Sequence, residues 1–536
     1  MDELSSPSRV AQQASFTMGE WKPFLLLTGL LLIVRTLFLL TSPVDLISDE
    51  AYYWDWSRRL DICYYSKPPM IAWLNWLSTT LGGVSPFMVR VSAMLLATSG
   101  LFFVYDLGRM MYGPRVGLIA MLLIALTPGN TAQSALMTID APFLFCWCGA
   151  LWSSWRWLNS TLWNRWVFVT GGFLLLGILS KQTMCGFIPL MGLFLLLSKP
   201  DRTRIFSLSP YMIVAIGSLA IVPLLYWNMQ HDWLTFQHTA SHFDTEQVNL
   251  LKRLSWFGEF AAGQVALVSP LLWFALAIVF VVASRKLWSL ERNELYLLCF
   301  SGIPMWGVLL LAFRQRLEPN WPAAFYPAGI VLVAGVLLQA VPVAAQIRFP
   351  RNYLRWSLTS SAFCVSLFYL ATWIIPLSPL ANSSWDFTAR LRGWQELAHD
   401  VDAILPADYA TGKYQFVATT GRSTISELAF YLPSHPVIHR FNPSDRIDSQ
   451  YDYWGVPHDL STHETIILTT ANQPLNQELS ARYQEVSPLG QVDLSLGKNR
   501  ERGVKIWIAK PFPQQPHSAS PNSQIAREIQ PSTSIR

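Results

Sequence analysis

The sequence predicts a mainly α-helical, polytopic membrane protein with a soluble α/β domain at its C-terminal end. Three observations predict it. Of 536 residues, 52% are apolar and only 14% are charged, against about 25% charged in soluble domains. Before residue 377 the chain holds about eleven apolar stretches near the bilayer length of roughly 17–25 residues. After it no long apolar run recurs. Trp is abundant at 24 copies, and mean hydropathy is +0.29. This balance excludes a disordered chain, a coiled coil and an ordinary soluble enzyme. The net charge of +5 is spread along the chain and leaves no nucleic-acid footprint. The 6 cysteines form neither a zinc spacing nor a disulfide framework, and read as buried thiols.

In chain order, residues 1–22 read as a cytoplasmic tail without a cleavable signal. The membrane domain spans 23–376. Its apolar cores lie near 23–41, 86–106, 115–130, 137–155, 166–180, 183–198, 211–227, 258–284, 295–313, 321–341 and 356–376. Lys and Arg in short loops set the orientation. One set of alternate loops holds Arg109/Arg115, Arg156/Arg165, Lys199/Arg202/Arg204, Arg285/Lys286/Arg292 and Arg348/Arg351/Arg355. Those loops are expected in the cytoplasm. Residues 42–85 then form the first periplasmic loop, and 377–512 lie outside as well. In that C-terminal domain, Leu391–Leu405 has helical spacing and a helix is expected from Ser426 to Tyr431. Thr465–Thr469 and Val504–Ala509 read as strands. The tail 513–536 is polar and Pro/Ser-rich, so it is expected to be disordered.

The first periplasmic loop is the most informative stretch. Ser48 reads as a helix N-cap with Asp49 and Glu50 in the first turn. The aromatic run Ala51–Leu60 suits a helix in the membrane interface. A second such helix is expected to begin at Pro68 or Pro69. Each charge here also has an ordinary reading, since Trp, Tyr and Arg populate any interface. Yet Arg58, Lys67, Lys181, Arg314 and Arg316 all fall at outside boundaries. Charges near hydrocarbon are costly and often line polar cavities. Converging cations suit an anion, and a phosphate carried on a lipid is the natural one. Arg35, inside the first span, either snorkels outward or supports the site.

A carboxylate opposite these cations completes a chemistry. For a sugar joined to a lipid phosphate, the leaving group needs no proton once its charge is neutralised. One base that deprotonates the acceptor hydroxyl then suffices. Asp49 is the candidate base. Glu50, Arg58, Lys67, Lys181, Arg314 and Arg316 are candidates for the donor and its phosphate. Asp140, at another outside boundary, is a candidate for sugar or acceptor, or else an ordinary N-cap. His242 is a further sugar or acceptor candidate. With His238 it has the i,i+4 spacing that can share a metal. No third ligand is evident, so no metal residue is assigned and a divalent metal is left open.

The run SDEAYYWDWSRRLDICYYSKPPMIAWL resembles the first loop of bacterial GT-C glycosyltransferases of the dolichyl-phosphate-mannose–protein mannosyltransferase group, glycosyltransferase family 39. It is similar to the lipid A aminoarabinose transferases of family 83. The resemblance continues in MTIDAPFLFCW, LSKQTM, YWNMQHDWLTFQHTASH, RQRLEPNWPAAFYPA and ELAFYLPSHP…SQYDYWG, and covers most of residues 25–510. It implies a GT-C membrane fold with an outward-facing cavity, interfacial helices in the first outside loop and a soluble C-terminal domain. It also implies a polyprenyl-phosphate sugar donor, a lipid, glycan or protein acceptor, and inversion. By motif, Asp49 matches the catalytic acid of the first loop and Lys67 a donor-phosphate ligand. Lys181 matches the phosphate-facing Lys of a later loop, and Asp140 the Asp of the second loop. Two positions depart from the aminoarabinose transferases: Tyr52 stands where they carry Arg, and Ser66 where they carry an acid. The EPNWP loop differs too. These differences favour a family 39-like member.

Two other classes compete with the transferase reading. A transporter or flippase for a polyprenyl-linked sugar would use the same cations, but needs polar groups on the cytoplasmic half and broken midplane helices. A non-catalytic membrane subunit that binds envelope polymer would survive loss of Asp49, Lys67 and Lys181.

Overall fold

The computed structural model describes residues 18–241, 248–381, 383, 386–444, 446–495 and 501–513. It divides into two compact units, residues 1–392 and 393–536.

The first unit is helical. Its early helices are α1 (Met18–Thr41), α2 (Ser48–Ser57), α3 (Met70–Gly82), α4 (Pro86–Tyr112), α5 (Pro114–Ala125), α6 (Pro128–Ala135), α7 (Asp140–Leu158), α8 (Arg165–Ser180) and α9 (Phe187–Leu197). Then follow α10 (Leu208–Ser218), α11 (Ile221–Gln230), α12 (Leu234–Ser241), α13 (Leu250–Val268), α14 (Pro270–Arg285), α15 (Arg292–Cys299), α16 (Gly302–Arg314), α17 (Tyr326–Leu337) and α18 (Tyr353–Ile374). Every apolar stretch read from the sequence falls on these helices. Among the described residues, 5 helical segments can cross a membrane by length and composition, or up to 7 if each of two bent pairs is one span. Shorter apolar helices cover Arg165–Ser180, Gln182–Leu197 and Trp321–Leu337.

Two of the apolar cores read from the sequence are bent. The run 258–284 is not one helix, because α13 and α14 meet at 112°. Ser269 between them has φ +86°, and Pro270 opens α14. Proline lacks the N–H that would continue the ladder and disfavours helical backbone before it. The corner is pinned where Ser269 Oγ meets Ser361 Oγ of α18 at 2.7 Å. The run 115–130 breaks in the same way: α5 and α6 meet at 65°, with Pro128 opening α6.

The bundle turns apolar side chains outward, as suits lipid, and the few charged side chains within it face inward. Along α1, Leu25, Leu30, Ile33, Leu37 and Leu40 are exposed. Arg35 on the same helix is only 2% exposed. It donates to Thr98 Oγ1 at 2.7 Å and to Asn130 Oδ1 at 2.5 Å. It therefore turns into the bundle and does not snorkel outward.

The segment between α1 and α4 forms two helices, as expected, with different caps. Ile47 caps α2, Ser48 is its first residue, and the Glu50 side chain reaches back to Ile47 N at 3.0 Å. Every residue from Glu50 to Ser57 is buried. The α2 aromatics pack on protein: Trp56 stacks on Tyr64 at 4.5 Å and meets Tyr52 edge-on at 4.9 Å. Pro69 caps α3.

The second unit is a five-stranded mixed sheet with helices α19 (Trp394–Ile404) and α20 (Arg422–Tyr431). Its strands are β1 (Gln415–Ala418), β2 (Ile438–Arg440), β3 (Thr465–Thr470), β4 (Glu485–Ser495) and β5 (Glu501–Lys510), in the order β2-β1-β3-β5-β4. β2, β1 and β3 run parallel, while β5 pairs antiparallel with both β3 and β4. Val417, Ile467, Leu479 and Ala509 belong to its core.

Candidate active site

The site starts from a helical hairpin. α7 and α8 pack against each other and a short loop joins them, so the start of α7 meets the end of α8. Asp140 is the first residue of α7 and Lys181 is the C-cap of α8. The helix dipoles favour an anion at the first position and a cation at the second. Lys181 Nζ lies 2.7 Å from Asp140 Oδ1, with the two side chains 14% and 15% exposed. Asn320 Nδ2 donates to Asp140 Oδ2 at 2.6 Å. Lys181 also sits over the Phe143 ring at 5.4 Å.

A cavity of about 270 Å³ opens beside this cluster. On α7 its wall is built by Asp140, Leu144, Phe145 and Cys148, one helix face about 12 Å long at 1.5 Å per residue. Asp140, Thr138 and Asn320 give it a polar end, and Leu101, Val104 and Ile330 add to its apolar wall.

A buried ion pair ties the first loop to this end. Glu50 is 0% exposed. Its Oε1 accepts from Arg90 Nε at 2.9 Å and Met137 N at 2.8 Å. Its Oε2 accepts from Arg90 Nη2 and Ile47 N at 2.7 and 3.0 Å. A carboxylate has about four lone-pair sites, and all are filled. Glu50 is therefore a strut rather than the donor ligand expected from the sequence. Arg90 Nη2 also donates to the Asp45 carbonyl at 2.7 Å. The strut joins the α2 N-terminus to α4 and to Met137, three residues before Asp140. Asp49, adjacent to Glu50 in the first turn of α2, is half-buried.

Lys67 lies on a tight hairpin between α2 and α3. Its carbonyl accepts from Tyr64 N at 3.1 Å, and its side chain is half-buried. The hairpin is clamped by residues 227–238. Trp227 Nε1 donates to Asp61 Oδ2 at 3.0 Å, Thr235 Oγ1 to the Tyr64 carbonyl at 3.0 Å, and His238 faces the Tyr65 ring at 5.0 Å. Cys63 is fully enclosed there, and burial pushes its thiol up to about 11. The helix that follows Lys67, α3, packs on α8, which ends at Lys181.

The other expected ligands are placed differently. Arg58 bonds Asp55 at 2.9 Å and covers the Trp54 ring at 5.1 Å. Arg316 pairs with Glu259 at 2.8 Å, with both side chains exposed, and Arg314 is exposed at the end of α16. From their loop it is Asn320 that reaches the cluster. His242 lies outside the described residues. Among the described residues no group of three or more His, Cys, Asp and Glu is placed to hold a metal ion.

The family model described as dolichyl-phosphate-mannose-protein mannosyltransferase matches residues 66–227, which include Lys67, Arg90, Asp140 and Lys181. A lipid A galacturonosyltransferase, RgtD, of Rhizobium johnstonii is 28% identical over 455 residues, covering 82% of this chain and 90% of RgtD. ArnT from Cupriavidus metallidurans bound to undecaprenyl phosphate has a TM-score of 0.64 at 15% identity, covering 91% of this chain and 98% of that one. Its apo state has a TM-score of 0.60 at 14% identity. The chain is a membrane glycosyltransferase of the GT-C type.

Two residues of the transferase's site were not assigned from the sequence. Arg90 carried a signal, being a charge inside the apolar run 86–106. Asn320 lay in the quoted EPNWP motif but carries no charge to mark it.

Proposed function

We propose that this transferase moves a sugar from a polyprenyl-phosphate donor to a hydroxyl of a lipid acceptor at the outer face of the membrane, with inversion. One observation carries the reading: Asp140 and Asn320 line the polar end of an otherwise apolar cavity, and Lys181 is paired with that Asp140. A reaction between a lipid-linked phosphate and a lipid needs such a junction of charge and hydrocarbon. RgtD's name specifies lipid A and a galacturonosyl group, and the ArnT structure holds undecaprenyl phosphate. Both support the substrate classes.

In this mechanism the bond from the anomeric carbon to the phosphate oxygen breaks as the acceptor oxygen bonds to that carbon. The polyprenyl phosphate leaves as an anion. The acceptor's proton passes to Asp49, held in its first-turn position by the Glu50–Arg90 strut. Lys67 and Lys181 neutralise the departing phosphate. An ammonium has three N–H groups, so Lys181 keeps donors for the phosphate beyond the one it gives Asp140. The positive-inside rule orients the whole. Arg109, Arg156, Arg204 and Arg292 lie at the far end of the helices, so that end is cytoplasmic and the second unit is periplasmic.

The test is transfer by the purified full chain in bilayers, using a panel of undecaprenyl-phosphate sugars and lipid A, with products read by mass spectrometry. Asp49→Asn is expected to lower turnover by on the order of 10²–10⁴-fold without loss of the folded protein. Turnover within a few-fold of the parent would remove Asp49 as the base. Absence of any transferred sugar, with donor carried across the bilayer instead, would replace the transferase mechanism with transport.

A further inference from the structure

The first span carries a charge that the transfer mechanism does not use. Arg35 of α1 is 2% exposed, and no carboxylate pairs with it among the described residues. Its partners are neutral: Thr98 Oγ1 of α4 at 2.7 Å and Asn130 Oδ1 of α6 at 2.5 Å. Tyr369 of α18 lies beside it. Its Nε is buried without an acceptor among the described residues. A cation left alone among membrane helices is costly, and such residues mark ligand sites.

Arg35 does not line the active-site cavity, but Asn130 does, beside Gln133 one turn further along α6. A guanidinium only donates, so the Asn130 carbonyl oxygen faces Arg35 and its amide nitrogen faces away from it. Neither the Asn130 nor the Gln133 side-chain nitrogen donates to a protein group among the described residues, and neither is an enclosed atom. The helix that presents them is closely seated. α6 packs on α4, α13 and α18, and a Cβ on Gly129 would meet the Leu267 carbonyl of α13 at 3.1 Å. The cavity wall offers no other spare charge. Asp140 is the one acid among the described residues that line it, and Lys181 already pairs with it.

We propose that the Asn130 amide, with Gln133 beside it, binds an anionic oxygen of the substrates other than the departing phosphate, and that Arg35 is the positioning residue behind it. The guanidinium turns the amide nitrogen to the cavity and polarises it along the hydrogen-bond chain. In a medium of low dielectric its positive potential reaches past the amide. Two substrate groups have the matching chemistry: a carboxylate on the transferred sugar and a phosphate on the lipid acceptor. The inference rests on the transfer reading for what enters the cavity, but its test reads binding and needs no turnover.

The test is binding by the full chain in nanodiscs of two matched pairs. One pair is an undecaprenyl-phosphate hexuronate and the corresponding neutral hexose. The other is lipid A with and without its phosphates. The parent is expected to hold the anionic member of one pair about 10-fold more tightly, the scale of one charge-assisted hydrogen bond. Preference within the first pair assigns the sugar carboxylate, and within the second the acceptor phosphate. Arg35→Met should reduce the preference to less than about 2-fold while the protein still folds, since it removes a lone buried charge. Asn130→Asp separates recognition from folding. It gives Arg35 an ion pair, so its melting transition should be no lower than the parent's, yet the donor has become an acceptor and the preference should vanish. Equal binding within both pairs by the parent, or a preference that survives Asn130→Asp, overturns the site. The same preference without any transferred sugar would uphold the site and remove the transferase mechanism instead.

Discussion

The two ends of the helical bundle both concentrate charge, yet they commit it differently. At the Arg156 end, Asp106 and Asp201 are wrapped by guanidinium groups and hydrogen-bond donors. At the Asp140 end, Glu50 is filled in the same way by Arg90 and backbone N–H groups. The pair Asp140–Lys181 is different: it is partly exposed, borders a cavity through Asp140 and holds unfilled hydrogen-bonding capacity. The comparison teaches that burial alone does not mark a functional charge. A saturated carboxylate builds the scaffold, and an unsaturated one beside a cavity is available to a substrate.

The largest test of that distinction is the strut. Glu50→Gln or Arg90→Met should each destabilise the first unit by about 3–5 kcal/mol, since each strands a buried partner. Thermal unfolding in detergent would register this as a lost or strongly lowered transition. The double variant should recover part of the stability, because no lone charge remains buried. Single variants as stable as the parent would show that filled lone pairs do not identify the scaffold.

Asp140→Asn and Lys181→Met should behave in the opposite way. Their pair is partly solvated, so folding should survive with modest loss. Turnover should fall by on the order of 10²-fold, the scale on which a positioned charge stabilises a leaving group. A steady-state assay beside a melting curve separates the two effects. If either variant unfolds while the Glu50 variants do not, the assignment of strut and site is reversed.

These differences also explain what the sequence could disclose. Helices were legible because lipid demands long apolar runs, and each run became helix. The corner at Ser269 was less legible: Pro270 stood inside the run 258–284, but tolerated prolines occur in membrane helices. In the second unit, β3 and β5 announced themselves through Ile466, Ile467, Ile506 and Ile508. β1 and β2 are only 4 and 3 residues long. β4 carries Pro488 and an irregularity before Gly490, so none of these three offered a clean alternation. Asp452 carries no local signal in the sequence, yet its side chain is buried against Arg440 Nη1 at 2.6 Å and Asn442 Nδ2 at 3.0 Å. In the site, Asp140 and Lys181 were legible at the boundaries of apolar runs. Glu50 was legible as a charge but not as a strut, because Arg90 lies 40 positions away and pairing at that distance leaves no local pattern.

A smaller effect should distinguish two cysteines. Cys63 is sealed beneath the Lys67 hairpin and its thiol is pushed up to about 11, whereas Cys185 is exposed. The thiolate is the reactive form. Cys63 should therefore resist maleimide at pH 8 while Cys185 reacts. An unfolded Cys63 would ionise near its ordinary 9.0, so between about 9 and 11 the unfolded state binds fewer protons and the hairpin loses stability as pH rises. Labelling of Cys63 should begin in that window, and Thr235→Ala should bring it forward. Equal labelling of both thiols at pH 8 would mean the hairpin is open.

The smallest effect belongs to Arg316, and it is the sharpest check on the contrast. Sequence reading set Arg316 beside Lys181 as a donor ligand. In the structure its partner is Glu259, and the two side chains are 66% and 54% exposed. Exposed ion pairs contribute little, since water and salt screen them. Arg316→Gln should therefore change turnover by less than about 2-fold, with unchanged KM for the donor. If it instead matched Lys181→Met, a cation already paired at the surface would be serving the phosphate. Arg316 would then have to leave Glu259 when donor binds, and Glu259→Gln should raise donor affinity by freeing it.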